Sequence, residues 1–304
     1  MVPGRLLAEI ARLLPNKPTT FTLEGNRVQV TSGSAKFALP TLPLNEYPNL
    51  PKLPSTSGMI AGDIFATAVN QVAIAAGRDD SLPTLTGIHV SITKNTITMA
   101  ATDRYRLAVR EIPWTPTDPE LTTSALLRAR TLADAARTIA TTKEISFAIA
   151  PTSATERLIG FSTESKSMTS RQLDGNFPDY KHLIPAESAS SATIEVAALL
   201  EAVRRVALVT EKNTPLRFKC GPTLQLEAGM KEEAQANEEL TINYTGEPIE
   251  IAFNPSYLID GLSALGTTYV HMGFTASNRP AILAGKNSID GEIEGSYRSE
   301  EHTS

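Results

Sequence analysis

Seven residues of this chain recur. Ala68-Val69-Asn70-Gln71-Val72-Ala73-Ile74 returns 134 residues later as Ala202-Val203-Arg204-Arg205-Val206-Ala207-Leu208, and an isoleucine precedes each copy at the same distance (Ile60, Ile194). Self-similarity over so long a period means one folded unit used more than once. A second repeat interleaves with the first. Arg5-Leu6-Leu7-Ala8-Glu9-Ile10-Ala11-Arg12 matches Arg130-Thr131-Leu132-Ala133-Asp134-Ala135-Ala136-Arg137 after 125 residues, and a weaker copy, Ser256 to Ser263, follows after a further 126. Apolar residues in all of them recur at intervals of three and four, which predicts amphipathic helices. Asn254-Pro255 supplies a cap and a proline at a helix start. Glu46-Tyr47-Pro48-Asn49 and Asn176-Phe177-Pro178-Asp179, 130 apart, close successive units.

The pattern predicts helices near 3–14, 59–76, 128–141, 195–209 and 254–265. Between them run period-two segments, near 20–24, 27–32, 35–39, 87–93, 96–101, 104–112, 144–150, 157–162, 166–171, 214–219, 223–228, 238–245, 248–253, 268–274 and 280–284. Helices alternating with antiparallel runs make an α+β protein of repeated domains, each with two helix-plus-strands halves. Leu50 to Gly58 and Pro185 to Ala192 read as linkers, and Pro113 to Thr123, around the lone Trp114, as a loop. The stretch from Gly87 to Val109 forms a three-strand meander. Its corner, Thr102-Asp103, can bond its own backbone.

A chain of 304 residues can bury sizeable cores. No apolar run approaches the roughly 18 residues of a membrane span, and no secretory leader opens the chain. Cys220 stands alone, which excludes an internal disulfide and a cysteine zinc site. Together these favour the cytoplasm. The net charge of −5 argues weakly against a nucleic-acid partner. Yet Glu227 to Glu250 holds seven acids and one base, a local −6, so everything else carries +1. The acidity belongs to one hairpin region and leaves room for a basic face.

Several segments resemble one known family. They are Asp80-Ser81-Leu82-Pro83-Thr84-Leu85-Thr86-Gly87, Thr102-Asp103-Arg104-Tyr105-Arg106-Leu107-Ala108-Val109, Leu173-Asp174-Gly175-Asn176-Phe177-Pro178-Asp179-Tyr180, Phe253-Asn254-Pro255-Ser256-Tyr257-Leu258 and Ser277-Asn278-Arg279-Pro280-Ala281. In this order they resemble the bacterial DNA sliding clamps, the beta subunits of DNA polymerase III, and actinobacterial clamps most. The resemblance runs from Val2 to about Arg298. It implies clamp domains with helices on an inner face and sheets outside. It divides the chain into the C-terminal half of clamp domain I (1–53), clamp domain II (54–188) and clamp domain III without its last strand (189–298). Residues 299–304 then read as a tail foreign to the family. An incomplete first domain implies a chain that is monomeric or aggregating, where the complete clamp is a head-to-tail homodimer.

The function implied is non-catalytic: a ring that encircles duplex DNA and tethers the replicative polymerase, the clamp loader and repair proteins through their linear peptide motifs. Carried over position by position, the peptide pocket takes Leu85, Thr102, Arg104, Tyr105, Arg106 and Leu107, then Pro185, Asn278 and Pro280. The family's glycine–histidine pair is replaced by Arg104-Tyr105. The dimer seam takes Phe37 and Leu39 against Leu208 and Val209.

Independently of the resemblance, basic residues mark the predicted helices: Arg5 and Arg12, Arg130 and Arg137, Arg204 and Arg205. Each set alone is a solvated helix face. Their recurrence on repeated helices points them at one polyanion, held through phosphates without base readout. No cofactor or metal is expected: His89, His182, His271 and His302 are dispersed, Gly285-Lys286-Asn287 lacks the rest of a phosphate loop, and no nucleophile elbow occurs. The two rival readings are an adaptor of the same domain type that binds proteins only, and an enzyme; the second requires a cluster of titratable groups that the sequence does not offer.

Overall fold

The protein is described by a computed structural model covering all residues except 48–50, 151–153, 155, 186, 211–213, 230–233, 295–296 and 302–304, and the side chains at 46 and 297–301. It divides into two units, Met1–Lys52 and Leu53–Ser304.

In the first unit, α1 (Gly4–Leu13) lies on an antiparallel sheet of β1 (Thr19–Glu24), β2 (Arg27–Ser32) and β3 (Ala35–Pro40). Both hairpin turns need a left-handed residue, and Gly25 (φ 60°) and Gly33 (φ 59°) supply it. Ile10 packs on Val30 and Leu39, with Leu7, Leu14 and Val28 around them.

The second unit opens with β4 (Gly58–Ala61), α2 (Gly62–Ala73), β5 (Gly87–Thr93), β6 (Thr96–Thr102), β7 (Arg106–Pro113), β8 (Thr115–Pro116), β9 (Thr122–Arg128), α3 (Ala129–Ile139), β10 (Glu144–Ile149), β11 (Leu158–Ser162) and β12 (Ser167–Arg171). It continues with β13 (Ser190–Glu195), α4 (Val196–Val206), β14 (Leu216–Cys220), β15 (Thr223–Ala228), β16 (Ala236–Thr241), β17 (Asn243–Thr245), β18 (Ile249–Phe253), α5 (Pro255–Leu265), β19 (Tyr269–Phe274), β20 (Ala281–Lys286) and β21 (Tyr297–Glu301).

The repeat is visible in the sheet orders. Strands β12-β11-β10-β4-β8 correspond to β21-β20-β19-β13-β17, and β7-β6-β5-β9 to β16-β15-β14-β18. The helices repeat the same buried stripe. Phe65, Ala68, Val69 and Val72 of α2 are matched by Leu132, Ala135, Ala136 and Ile139 of α3. Leu199, Ala202, Val203 and Val206 of α4, and Leu258, Gly261, Leu262 and Leu265 of α5, follow the same spacing. Each helix thus buries one face at i, i+3, i+4 and i+7 and leaves the other to solvent. Helix α5 is bounded as its sequence dictates. The Asn254 side chain accepts from the Ser256 and Tyr257 amides at 2.9 and 3.4 Å, and Gly266 ends the helix at φ 71°.

The two halves of this unit share a sheet. Strand β21 pairs with β20 on one side and with β7 on the other, so nine strands run without a break from β17 to β9. A side chain reinforces the join: Gln71 on α2 donates to the carbonyls of Ala264 and Leu265 at 3.0 and 3.3 Å, closing the C-terminal end of α5.

All five predicted helices are present, with ends trimmed by a few residues. The strand reading needs correction. The presumed linkers and loop contain strand: Gly58 begins β4, Ser190–Ala192 begin β13, and Thr115–Pro116 and Thr122–Thr123 belong to β8 and β9. Strand β13 is rich in serine yet is paired on both sides, by β17 and β19, so tertiary pairing overrides its composition. The single strand expected over 238–245 is two, β16 and β17, in different sheets. Leu50 of the first linker lies outside the described residues. Residues 299–301, read as tail, lie within β21, and residues 302–304 are outside the described residues.

Candidate functional site

The corner between β6 and β7 is wired by its own side chains. Thr102 Oγ1 donates to the Arg106 carbonyl at 2.7 Å and accepts from the Arg104 amide at 3.2 Å. Asp103 Oδ1 accepts from the Tyr105 and Arg106 amides, each at 3.1 Å. That arrangement forces Arg104 to φ 82°, the left-handed region that suits glycine. The strain is of order 1 kcal/mol.

Arg106 turns inward. Its Nε donates to Asp103 Oδ2 at 3.1 Å, its Nη1 to Asp260 Oδ2 at 2.8 Å, and its Cζ sits 4.4 Å from the centre of the Tyr257 ring. The side chain is 7% exposed, so both carboxylates and the ring face help to keep a charge there. Burial lowers its pKa, but the hydrogen bonds and charges of Asp260 and Asp103 outweigh that, and the net shift is upward.

Above this pair lies an open cavity of about 510 Å³. Its walls come from four places: the segment after α2 (Ala76 to Asp79), the short helical turn before β5 (Leu82, Leu85), the corner (Asp103 to Arg106), and the first turns of α5 (Ser256, Tyr257, Asp260). Tyr105 and Tyr257 stack across it, centroids 6.4 Å apart. Hydrogen bonds from Ser81 hold the Asp79 carboxyl below its usual range, and Arg104 adds a smaller electrostatic pull. Two leucines and two tyrosines set among charged side chains suit a short peptide with a hydrophobic anchor.

Four of the nine expected pocket residues line this cavity: Leu85, Arg104, Tyr105 and Arg106. Thr102 braces the corner without lining it. Leu107 is on the opposite face of the sheet. It is buried with Ala100 and Tyr180 beneath a strap that also brings down Phe177 and Ile184. The reason is strand alternation: Arg106 and Leu107 must point to opposite sides. Pro185 follows Ile184 at the end of that strap and is half-buried. Asn278 is exposed and Pro280 half-buried in the connection before β20. Register brings Ala281 level with Arg106, each opposite Glu301. Tyr257 and Asp260 were missed as site residues. Their spacing of three on a helix beginning at Asn254-Pro255 puts them on one face, which is the signal that could have found them.

The basic residues divide into two groups. Arg5 pairs with Glu9 at 3.7 Å and Arg137 pairs with Asp134. Arg205 is held by Glu238, Nε to Oε2 at 3.1 Å, and by Glu201 at 3.5 Å. Arg12, Arg130 and Arg204 are exposed and make no ion pair among the described residues. Arg130 borders a second cavity of about 400 Å³ together with Arg78 and Arg128, the latter bonded to Asp80 at 2.8 Å.

Of the four seam positions, Leu208 stands out at 84% exposure, Phe37 is 37% exposed and Val209 packs partly against the core. Leu39 is 2% exposed beneath α1, so it is a core residue of the first unit and its side chain cannot form a seam. Among the described residues no group of His, Cys, Asp and Glu could hold a metal, and no helix is long and apolar enough to cross a membrane.

Three protein-family profiles match in series: the N-terminal domain of the DNA polymerase III beta subunit over residues 1–51, its central domain over 59–179 and its C-terminal domain over 181–293. The chain is 47% identical over 300 residues to the beta sliding clamp of Streptomyces coelicolor, covering 98% of this chain and 80% of that one. It is 42% identical to the beta sliding clamp homolog GriR of Streptomyces muensis, covering 98% and 79%. Its fold is similar to that of the Pseudomonas aeruginosa sliding clamp bound to griselimycin, with a TM-score of 0.90, 25% identity, and 100% and 80% of the two chains covered.

Proposed function

The chain belongs to the DNA polymerase III beta subunits, the bacterial sliding clamps, and from that premise we propose that it holds replication proteins on DNA by docking their peptide motifs in the Leu85–Tyr257 cavity. It is a processivity factor and performs no chemistry of its own. The observation that carries the docking role is the cavity itself: Leu82 and Leu85 beside charged side chains between two repeated halves, braced by the Arg106–Asp260 pair, with stacked tyrosines across it. Polymerase, clamp loader and repair proteins would compete for this one dock.

Duplex DNA is the second partner. Arg12, Arg130 and Arg204 are the cations best placed to attract phosphates, because no acid among the described residues engages them. Such attraction is independent of sequence and leaves the protein free to slide. Assembly is the third element. We assign the homodimer seam to Leu208, Phe37 and Val209, with Leu208 as the apolar knob. The protein works where the chromosome is copied, in the cytoplasm.

Isothermal titration of a peptide carrying Gln and a Leu-Phe pair tests the dock. Leu85→Ala should weaken binding by about 1–3 kcal/mol, as expected for a buried anchor contact. Unchanged affinity in that variant would remove the cavity from the binding site.

A further inference from the structure

We propose that Arg78 couples the two cavities of the second unit, so that a DNA phosphate held on the arginine side clears the peptide side; the proposal rests on the peptide-docking and DNA readings above. The cavity above the Arg106–Asp260 pair and the cavity bordered by Arg78, Arg128 and Arg130 are neighbours, and Ala76, Gly77 and Arg78 line both. Consecutive residues of their common wall line opposite sides. Asp79 borders the peptide cavity and Asp80 the arginine cavity; Leu85 borders the first and Thr86 the second. The backbone of this wall is held by its own bonds. The Gly77 amide donates to the Leu85 carbonyl at 2.7 Å and the Leu82 amide to the Asp79 carbonyl at 3.1 Å. Thr86 Oγ1 donates to the Pro83 carbonyl at 2.8 Å.

What can move is the Arg78 side chain. It is exposed and makes no ion pair among the described residues. The acids around it are engaged elsewhere. Asp79 accepts from the Ser81 amide at 2.9 Å, Asp80 is bonded to Arg128 at 2.8 Å, and Asp103 and Asp260 hold Arg106. One guanidinium cannot serve both cavities at once. With no anion present it lines the peptide cavity beside Leu82 and Tyr105, and a docking peptide has to displace it. A phosphate seated by Arg128 and Arg130 draws Arg78 to its own side, because a guanidinium bonds phosphate through two charge-assisted donors. The displacement is then already made when the peptide arrives. The linkage is therefore positive, and by reciprocity a docked peptide raises affinity for DNA by the same factor. A clamp on DNA then receives its partners more readily than a free one.

Fluorescence anisotropy with the full chain reads the coupling, using the labelled, C-terminally amidated peptide Gln-Ser-Ala-Leu-Phe, which has no acidic side chain, and a short unlabelled duplex. Saturating duplex should tighten peptide binding to the wild-type protein by about fivefold, the low end of coupling between two sites. Arg78→Ala without DNA should bind the peptide as tightly as the DNA-bound wild type does, and duplex should add nothing. Arg130→Ala should need more duplex to reach the wild-type factor. Peptide affinity that is unchanged or lowered by saturating duplex, or a wild-type factor in Arg78→Ala, overturns the coupling while leaving docking intact. A wild-type protein that binds the peptide but no duplex overturns the DNA reading and the coupling, again leaving docking intact. Failure to bind the peptide with or without duplex, or unchanged affinity in Leu85→Ala, overturns docking and this proposal together.

Discussion

Arg106 Nη1 donates to Asp260 Oδ2 at 2.8 Å, joining the β6–β7 corner to the second turn of α5. The two residues are 154 positions apart and come from different copies of the repeat. The bond fixes the distance between opposite walls of the cavity. Asp260→Ala should cost about 1–2 kcal/mol in chemical denaturation. This is less than the loss of a fully buried partner, because the Asp260 side chain is 41% exposed and Asp103 still holds the guanidinium. Asp260→Asn should lose less, since an amide oxygen can still accept. Equal stability of Asp260→Ala and wild type would mean that Asp103 alone suffices.

Relief of strain should be measurable at the corner. Arg104→Gly is expected to raise stability by about 0.5–1 kcal/mol, since glycine reaches φ 82° without a Cβ penalty. Differential scanning calorimetry checks it: the midpoint should rise by a degree or more. A fall in midpoint would mean that the Arg104 side chain supports the fold.

Acid should weaken the fold through two histidines. Burial lowers the pKa of His89, with Lys181 adding to it, and burial likewise lowers that of His271, with Lys286 adding. His89 also stacks on Phe177 at 5.3 Å. Above the ordinary value of 6.5 both folded and unfolded chains hold these rings neutral and nothing is lost. Below it the unfolded chain binds protons that the folded chain resists, so stability falls as pH drops. The melting temperature should therefore decline below about pH 6.5, and His89→Gln should show a shallower decline than wild type. Parallel curves would exclude His89 as a contributor.

DNA affinity should depend on the arginines that make no ion pair among the described residues. Replacing Arg12, Arg130 and Arg204 with alanine should flatten the plot of log K against log salt by about two to three units on any duplex sequence. Arg205→Ala should change the slope less, because Glu238 and Glu201 already offset its charge. Filter binding across a salt series reads both, and a change from Arg205→Ala as large as that from the triple replacement would reverse the assignment.

The buried thiol provides a check on the core. Cys220 lies inside the second unit, and burial pushes its pKa up to about 12. It should stay unreactive toward a chromogenic disulfide at neutral pH until the protein unfolds. Prompt reaction of the native protein would show that β14 opens.

The helices were legible because burial on one face leaves a period in the sequence: Phe65, Ala68, Val69 and Val72 announce themselves. Strands β4, β9 and β13 were not, because their place is decided by partners far away in the chain. Ser190 and Ser191 look like linker until Phe274 and Gly273 pair with them. The site was half legible. The Thr102–Arg106 corner carries its turn chemistry in sequence, and Arg104, Tyr105 and Arg106 reach the cavity. Leu107 does not, because a continuous sequence motif says nothing about which side of a strand is walled off by a strap from residues 177–184. Similarly, Leu39 looked like a seam residue until α1 covered it, whereas Leu208 remained exposed.

The most direct test of the account is retention on DNA of defined topology. After loading onto nicked circular duplex by the clamp loader, the protein should stay bound through gel filtration at raised salt. A single restriction cut should then release it, because a ring can leave only over an end. Equal retention on circular and linear DNA, or release from both with the same salt dependence, would contradict a sliding clamp and leave only the electrostatic attraction of its arginines.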